Sequence, residues 1–159
     1  MNGAHFHLLV NHLPIVGLLI GILILVAGLL LRKTEVKLTA LGVFIFSAIT
    51  SILAFYTGES AEDVVENITG ISGTLIHLHE EYAETFFIIT LILGVLSLIV
   101  FFAQLKKFKY TQHLMFIILL LAITDGVIAK FVGTSGGEIR HTEIRNEAKT
   151  ILINNDSDD

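Results

Sequence analysis

Four long apolar stretches set the limits on what this chain can fold into. Residues 13–31, 38–56 and 85–103 contain no charged side chain, and residues 114–132 carry only Asp125 and Lys130. Each is about 19 residues long, so as a helix each matches a hydrocarbon core of about 30 Å. Inside lipid a lone segment satisfies its backbone N–H and C=O groups only as a helix. The stretches therefore read as four transmembrane helices in one domain, residues 1–132. A hydrophobic fraction of 53% and a mean hydropathy of +0.79 exclude a water-soluble domain. The first stretch lacks the basic leader and small-residue cleavage site of a signal peptide, so it is expected to remain as a span.

Short connections shape the bundle. About six residues join spans one and two and about ten join spans three and four, which favours antiparallel neighbours in an up-down-up-down bundle. Arg32, Lys33 and Lys37 lie in the first of these links, and Lys106, Lys107 and Lys109 in the second. The twelve residues before span one and the 57–84 connection have no Lys or Arg. The positive-inside rule then places both termini outside, in a bacterium on the periplasmic side of the inner membrane. Gly17, Gly21 and Gly28 on span one suit close helix packing better than a ligand slot.

Residues 57–84 depart from a plain loop. Glu59, Glu62, Asp63 and Glu66 fall on one helical face, and His77, Glu80, Glu81 and Glu84 on another. Spans two and three are thus expected to continue outward as amphipathic helices, forming an extramembrane hairpin that turns around Gly70 and Gly73. After span four, residues 133–159 read as a periplasmic tail. It opens with a flexible Thr134-Ser135-Gly136-Gly137 stretch and ends in a disordered polar segment.

The histidines concentrate at the outer face. His5, His7 and His12 precede span one, His77 and His79 precede span three, and His141 follows span four. Seven carboxylates crowd the segment between spans two and three on the same side. By helical rise, His7, His79 and Glu62 stand roughly 9 Å above the hydrocarbon edge, His77 roughly 12 Å, and Glu59 and Glu81 roughly 5–6 Å. Polar clusters this close to lipid are costly and mark function.

Two chemistries fit such a layer. A b-type haem takes two neutral imidazoles from different helices, here His7 or His12 opposite His77 or His79. A non-haem divalent ion (zinc, iron, manganese or copper) would use imidazole and carboxylate together. Its candidate ligands are His7, His12, Glu59, Glu62, His77, His79 and Glu81. His5, His113 and His141 read as a terminal, an interfacial and a solvated residue. Asp125 needs a buried partner; Thr50 or Ser51 in span two lies at similar depth, and a structural hydrogen bond is a simpler role than proton relay.

With no cysteine, covalent c-type haem, thiolate iron–sulfur clusters and thiol catalysis are excluded. No phosphate-binding glycine loop or basic groove is present. The net charge of −5, concentrated outside, disfavours nucleic acid. Nothing in the sequence points to a substrate-transforming enzyme.

The opening His7-Leu-Leu-Val-Asn-His12-Leu-Pro14 resembles the signature of a bacterial four-helix membrane family of unknown function. That family begins its first span His-Pro-x-x-Val-His-Phe-Pro. Both histidines and Pro14 agree in spacing, while Leu8, Asn11 and Leu13 stand where the family has Pro, Val and Phe. Gly58-Glu59 and His77 or His79 are similar to the family's features at the end of span two and the start of span three. The resemblance covers roughly residues 7–130. It is similar to small membrane cytochromes b, and some members look to be fused to Rieske domains, which implies redox work. The expectation is a lipid-embedded haem b protein in electron transfer, served by a redox protein or a larger membrane complex. The alternatives are a non-haem metal-binding protein and a structural subunit.

Overall fold

A computed structural model describes residues 2–68 and 71–145, and these are helical almost throughout. Gly70 of the expected turn and the expected disordered segment lie outside the described residues. The order is α1 (Gly3–Val10), α2 (His12–Leu30), α3 (Thr34–Val65), α4 (Gly73–Leu105), α5 (Thr111–Arg140) and a 3-10 turn (Thr142–Ile144). Four helical stretches, α1 and α2 together with α3, α4 and α5, are long and apolar enough to cross a membrane. This is the make-up of a multi-pass membrane protein.

Proline explains the break between α1 and α2. Pro14 has no N–H to offer the carbonyl of Val10, and its ring crowds that turn, so the helix is interrupted at Asn11. Asn2 caps the short segment, its Oδ1 accepting from the His5 N–H at 3.0 Å. Segment α1 packs on α3, and a Cβ at Gly3 would collide with the backbone of Ser60. Only glycine permits that approach.

Each helix packs against its neighbours in sequence, and α2 also packs against α5. The ring closes, leaving α2 and α4 diagonally opposite. Leu18, Leu25, Leu41, Phe44, Leu93, Met115 and Ile118 fill the interior. Leu23, Leu30, Val95, Ile99 and Leu120 face outward, the apolar exterior that lipid contact requires. Side chains of α3 occupy the glycine notches of α2: Ser47 against Gly17, Phe44 against Gly21 and Lys37 against Gly28. These glycines therefore serve helix packing.

Helices α2 and α4 end alike. Lys33 N–H reaches the Gly28 carbonyl at 3.2 Å, and Phe108 N–H reaches Ala103 at 2.9 Å. Arg32 and Lys107 each adopt φ of 54°. Both ends are Schellman motifs that put a basic residue where glycine is the usual occupant.

One boundary differs from the sequence reading. Helix α3 runs past Tyr56 to Val65 and α4 begins at Gly73, as the amphipathic pattern predicts. Helix α5, however, does not stop at Val132. It continues through Thr134-Ser135-Gly136-Gly137 to Arg140. Local propensity marks that stretch as flexible, but Ser135 and Glu138 are buried, and packing overrides propensity.

Candidate functional site

The N-terminal turns of α1 and α4 and the C-terminal turns of α3 and α5 hold two half-buried imidazoles. His7, on α1, is half-buried against α3. Its Nδ1 lies 3.1 Å from the carbonyl oxygen of Ala54 and 3.2 Å from Thr57 Oγ1. Its Cε1 lies over Gly58, where an added Cβ would stand 3.6 Å away. His79, on α4, is half-buried against α5. Its Nδ1 lies 3.0 Å from Ser135 Oγ, and its ring also bonds the Val132 carbonyl. A Cβ at Gly136 would stand 3.0 Å from its Cε1.

The two rings come from helices on the bundle diagonal, yet they are close enough for a charge on one to act on the other. Neither Nε2 has a hydrogen-bond partner among the described residues. Each ring thus has one nitrogen held by protein and one lone pair available. Nearby aromatic pairs line the helix seams, Phe55 stacked on Phe87 at 4.3 Å and Tyr82 on Phe131 at 5.4 Å.

The other expected ligands sit apart from this pair. His12 is exposed, and its only recorded interaction is a charge effect on His7. His77 points to solvent, with Nε2 4.0 Å from Glu81 Oε1 and side chains 74% and 64% exposed. Glu59 is exposed. Glu62 of α3 meets Glu80 of α4 in a carboxyl–carboxyl hydrogen bond, with Asp63 and His77 close by. Among the described residues no three His, Asp or Glu side chains group as a metal site would require. His5 and His113 are exposed, His113 beside Tyr110, and exposed His141 contacts Glu143 at 2.9 Å.

Deeper in the span, Asp125 is fully buried and accepts from Thr90 Oγ1 at 2.8 Å through Oδ2. Its Oδ1 has no hydrogen-bond partner among the described residues. The expected partners, Thr50 and Ser51 of α3, instead return their hydroxyls to the Phe46, Ser47 and Ala48 carbonyls of their own helix. Depth along the membrane suggested Thr50 and Ser51 and passed over Thr90 of α4, because depth alone does not give the helical phase that aims a hydroxyl at Asp125. Thr57 and Ser135 are not among the site residues expected from sequence, Ser135 being read only as part of a flexible stretch. The available signal was a Thr-Gly and a Ser-Gly pair at the outer ends of two spans. No family model, curated protein or solved structure matches the chain.

Proposed function

We propose that this protein is an inner-membrane b-type haem protein acting in electron transfer, with His7 and His79 as its two axial ligands. The carrying observation is the pair of half-buried imidazoles from α1 and α4, each held through Nδ1 with Nε2 unengaged. A bis-imidazole haem asks the protein for two nitrogens only, because the porphyrin supplies the other four. A non-haem ion asks for three or more protein ligands, and no such group is found among the described residues. The donor set therefore fits haem better than the alternative. His12 and His77, both exposed, take no part in this ligand pair.

When bound, haem supplies a one-electron couple near the outer face. The chain's own part is to orient two rings, keep them neutral and shield them with the aromatic seams of α3, α4 and α5. In this reading the helices run up-down-up-down with both termini outward, which puts the imidazoles at the periplasmic surface within reach of a redox protein. Basic residues in the two opposite loops support that orientation.

An absorption spectrum of purified protein, oxidised and reduced, tests the reading. A Soret band that is lost in His7→Ala and in His79→Ala, but kept in His12→Ala and His77→Ala, is the expected result. If protein from haem-sufficient cells has no Soret band, the reading fails. Elemental analysis then decides between a non-haem ion near Glu62, Glu80 and His77 and a purely structural subunit.

A further inference from the structure

The surroundings of the two imidazoles are the same device built twice. On α3 the order is Ala54-Phe55-Tyr56-Thr57-Gly58; on α5 it is Val132-Gly133-Thr134-Ser135-Gly136. His7 Nδ1 meets the carbonyl at the first position and the hydroxyl at the fourth; His79 Nδ1 meets the hydroxyl at the fourth, and its ring also bonds the carbonyl at the first. In each, the carbon edge lies near the glycine at the fifth. The spacing follows from the helix, since a carbonyl and a hydroxyl three residues on share one face.

The proton positions can be deduced. Thr57 donates its hydroxyl hydrogen to Leu53 at 2.8 Å and Ala54 at 3.0 Å. Ser135 donates its own to Val132 at 3.2 Å. The Ala54 carbonyl can only accept, so His7 Nδ1 carries the hydrogen and Nε2 the lone pair. At His79, a Ser135 hydroxyl that donates to Val132 accepts from Nδ1–H, which gives the same tautomer. Glycine is needed for close approach at Gly136, where a Cβ would stand 3.0 Å from His79 Cε1, whereas at Gly58 a Cβ would make ordinary contact with His7 at 3.6 Å.

We propose that Thr57-Gly58 and Ser135-Gly136 are paired imidazole sockets: the two hydroxyls are positioning residues that hold His7 and His79 as Nδ1–H tautomers with Nε2 offered to a shared ligand. This deepens the haem reading and names residues that act through the ligands rather than on the iron. Hydrogen bonds of this kind fix ring orientation and raise ligand basicity in metal sites.

The test is nitrogen-15 NMR of histidine-labelled protein, freed of any cofactor, in lipid nanodiscs. Two-bond correlations report which ring nitrogen is protonated. His7 and His79 should each show the neutral Nδ1–H form, unlike exposed His5 and His77, which should average between tautomers. Thr57→Val should raise the Nε2–H population of His7 severalfold and leave His79 alone. Ser135→Ala should do the converse, and Thr57→Ser and Ser135→Thr should restore the wild-type pattern.

Wild-type rings in the Nε2–H form, or tautomers unchanged by loss of the hydroxyls, overturn the socket assignment. These readings are independent of haem. Correct tautomers in a protein that never takes up haem would sink the functional reading alone. In haem-loaded protein, Thr57→Val should raise the reduction potential, since a less basic imidazole favours the oxidised iron less; an unchanged potential refutes the hydroxyl's influence.

Discussion

The buried pair Thr90 and Asp125 yields a prediction whose size can be worked from contacts. Asp125 lies fully buried in the span with one hydrogen bond, from Thr90 Oγ1 to Oδ2 at 2.8 Å, and with Oδ1 unpartnered. Thr90→Val keeps the volume and removes the donor. Both carboxyl oxygens are then left bare in an apolar interior, at a cost of about 1–2 kcal/mol, between a buried unsatisfied group and the smaller values typical within membranes. Asp125→Val removes the costly acid, and the freed Thr90 hydroxyl turns back to a carbonyl of its own helix. Thr50 and Thr124 already do so, at 3.0 and 3.1 Å to Phe46 and Leu120. That variant should lie within about 1 kcal/mol of wild type, and the double variant should match it.

Equilibrium unfolding in mixed micelles, followed by helical circular dichroism, measures all four proteins. The Thr90→Val loss should appear as a roughly 5- to 30-fold change in the unfolding constant, and only while Asp125 is present. An equal loss in both backgrounds would refute the reasoning, because Thr90 would then be acting through packing. Should Asp125→Val prove neutral in stability, the acid is not retained for folding, and a role for its charge or proton becomes the reason to keep it.

Three further outcomes follow from particular contacts. Gly136→Ala, whose Cβ would press on His79 Cε1 at 3.0 Å, should displace that ring and weaken cofactor retention. Gly58→Ala, with 3.6 Å to His7, should be tolerated and gain up to about 1 kcal/mol of helix propensity; the reverse ranking in a spectral titration would contradict the socket geometry. Lys107→Gly should stabilise the bundle by about 1 kcal/mol by relieving a left-handed residue at φ 54°, a gain that thermal unfolding should register. The Glu80 carboxyl beside Glu62 raises the Glu62 pKa, so the tips of α3 and α4 should part as pH rises and Glu62 ionises. Spin labels on the two tips would measure this, and Glu62→Gln should hold them together throughout.

How much could be read in advance depended on whether the signal was local. Hydrocarbon length and periodicity gave four spans, and the acid faces of 59–66 and 77–84 gave the outward continuation of α3 and α4. Height along the helix placed His7 and His79 in one layer. What it could not give was rotation. His77 and His79 differ by about 200° around a helix of 3.6 residues per turn, and only packing shows that the second faces inward. The same limit put Glu62 opposite Glu80 rather than Glu81, and Thr90 rather than Thr50 or Ser51 beside Asp125. The Ser135-Gly136 socket was hidden for another reason: its residues disfavour a helix in isolation, and their burial against α4 is a tertiary effect.

The opening motif can now be divided into jobs. His7 and His12 are five residues apart, which on a regular helix separates them by about 140°. Two rings so placed cannot both enter a narrow bundle, and the structure turns His7 to Thr57 while leaving His12 exposed. Pro14 leaves the Val10 carbonyl without its helical N–H partner, but Asn11 keeps helical dihedrals (φ −61°, ψ −26°) and its N–H still bonds the His7 carbonyl at 2.9 Å. Segment α1 therefore continues the course of α2 past the bundle core and packs on α3, where Gly3 meets Ser60 and His7 lies against Gly58. Of the motif's two histidines, the one farther from the proline is the one that α3 receives, and the nearer one stays exposed.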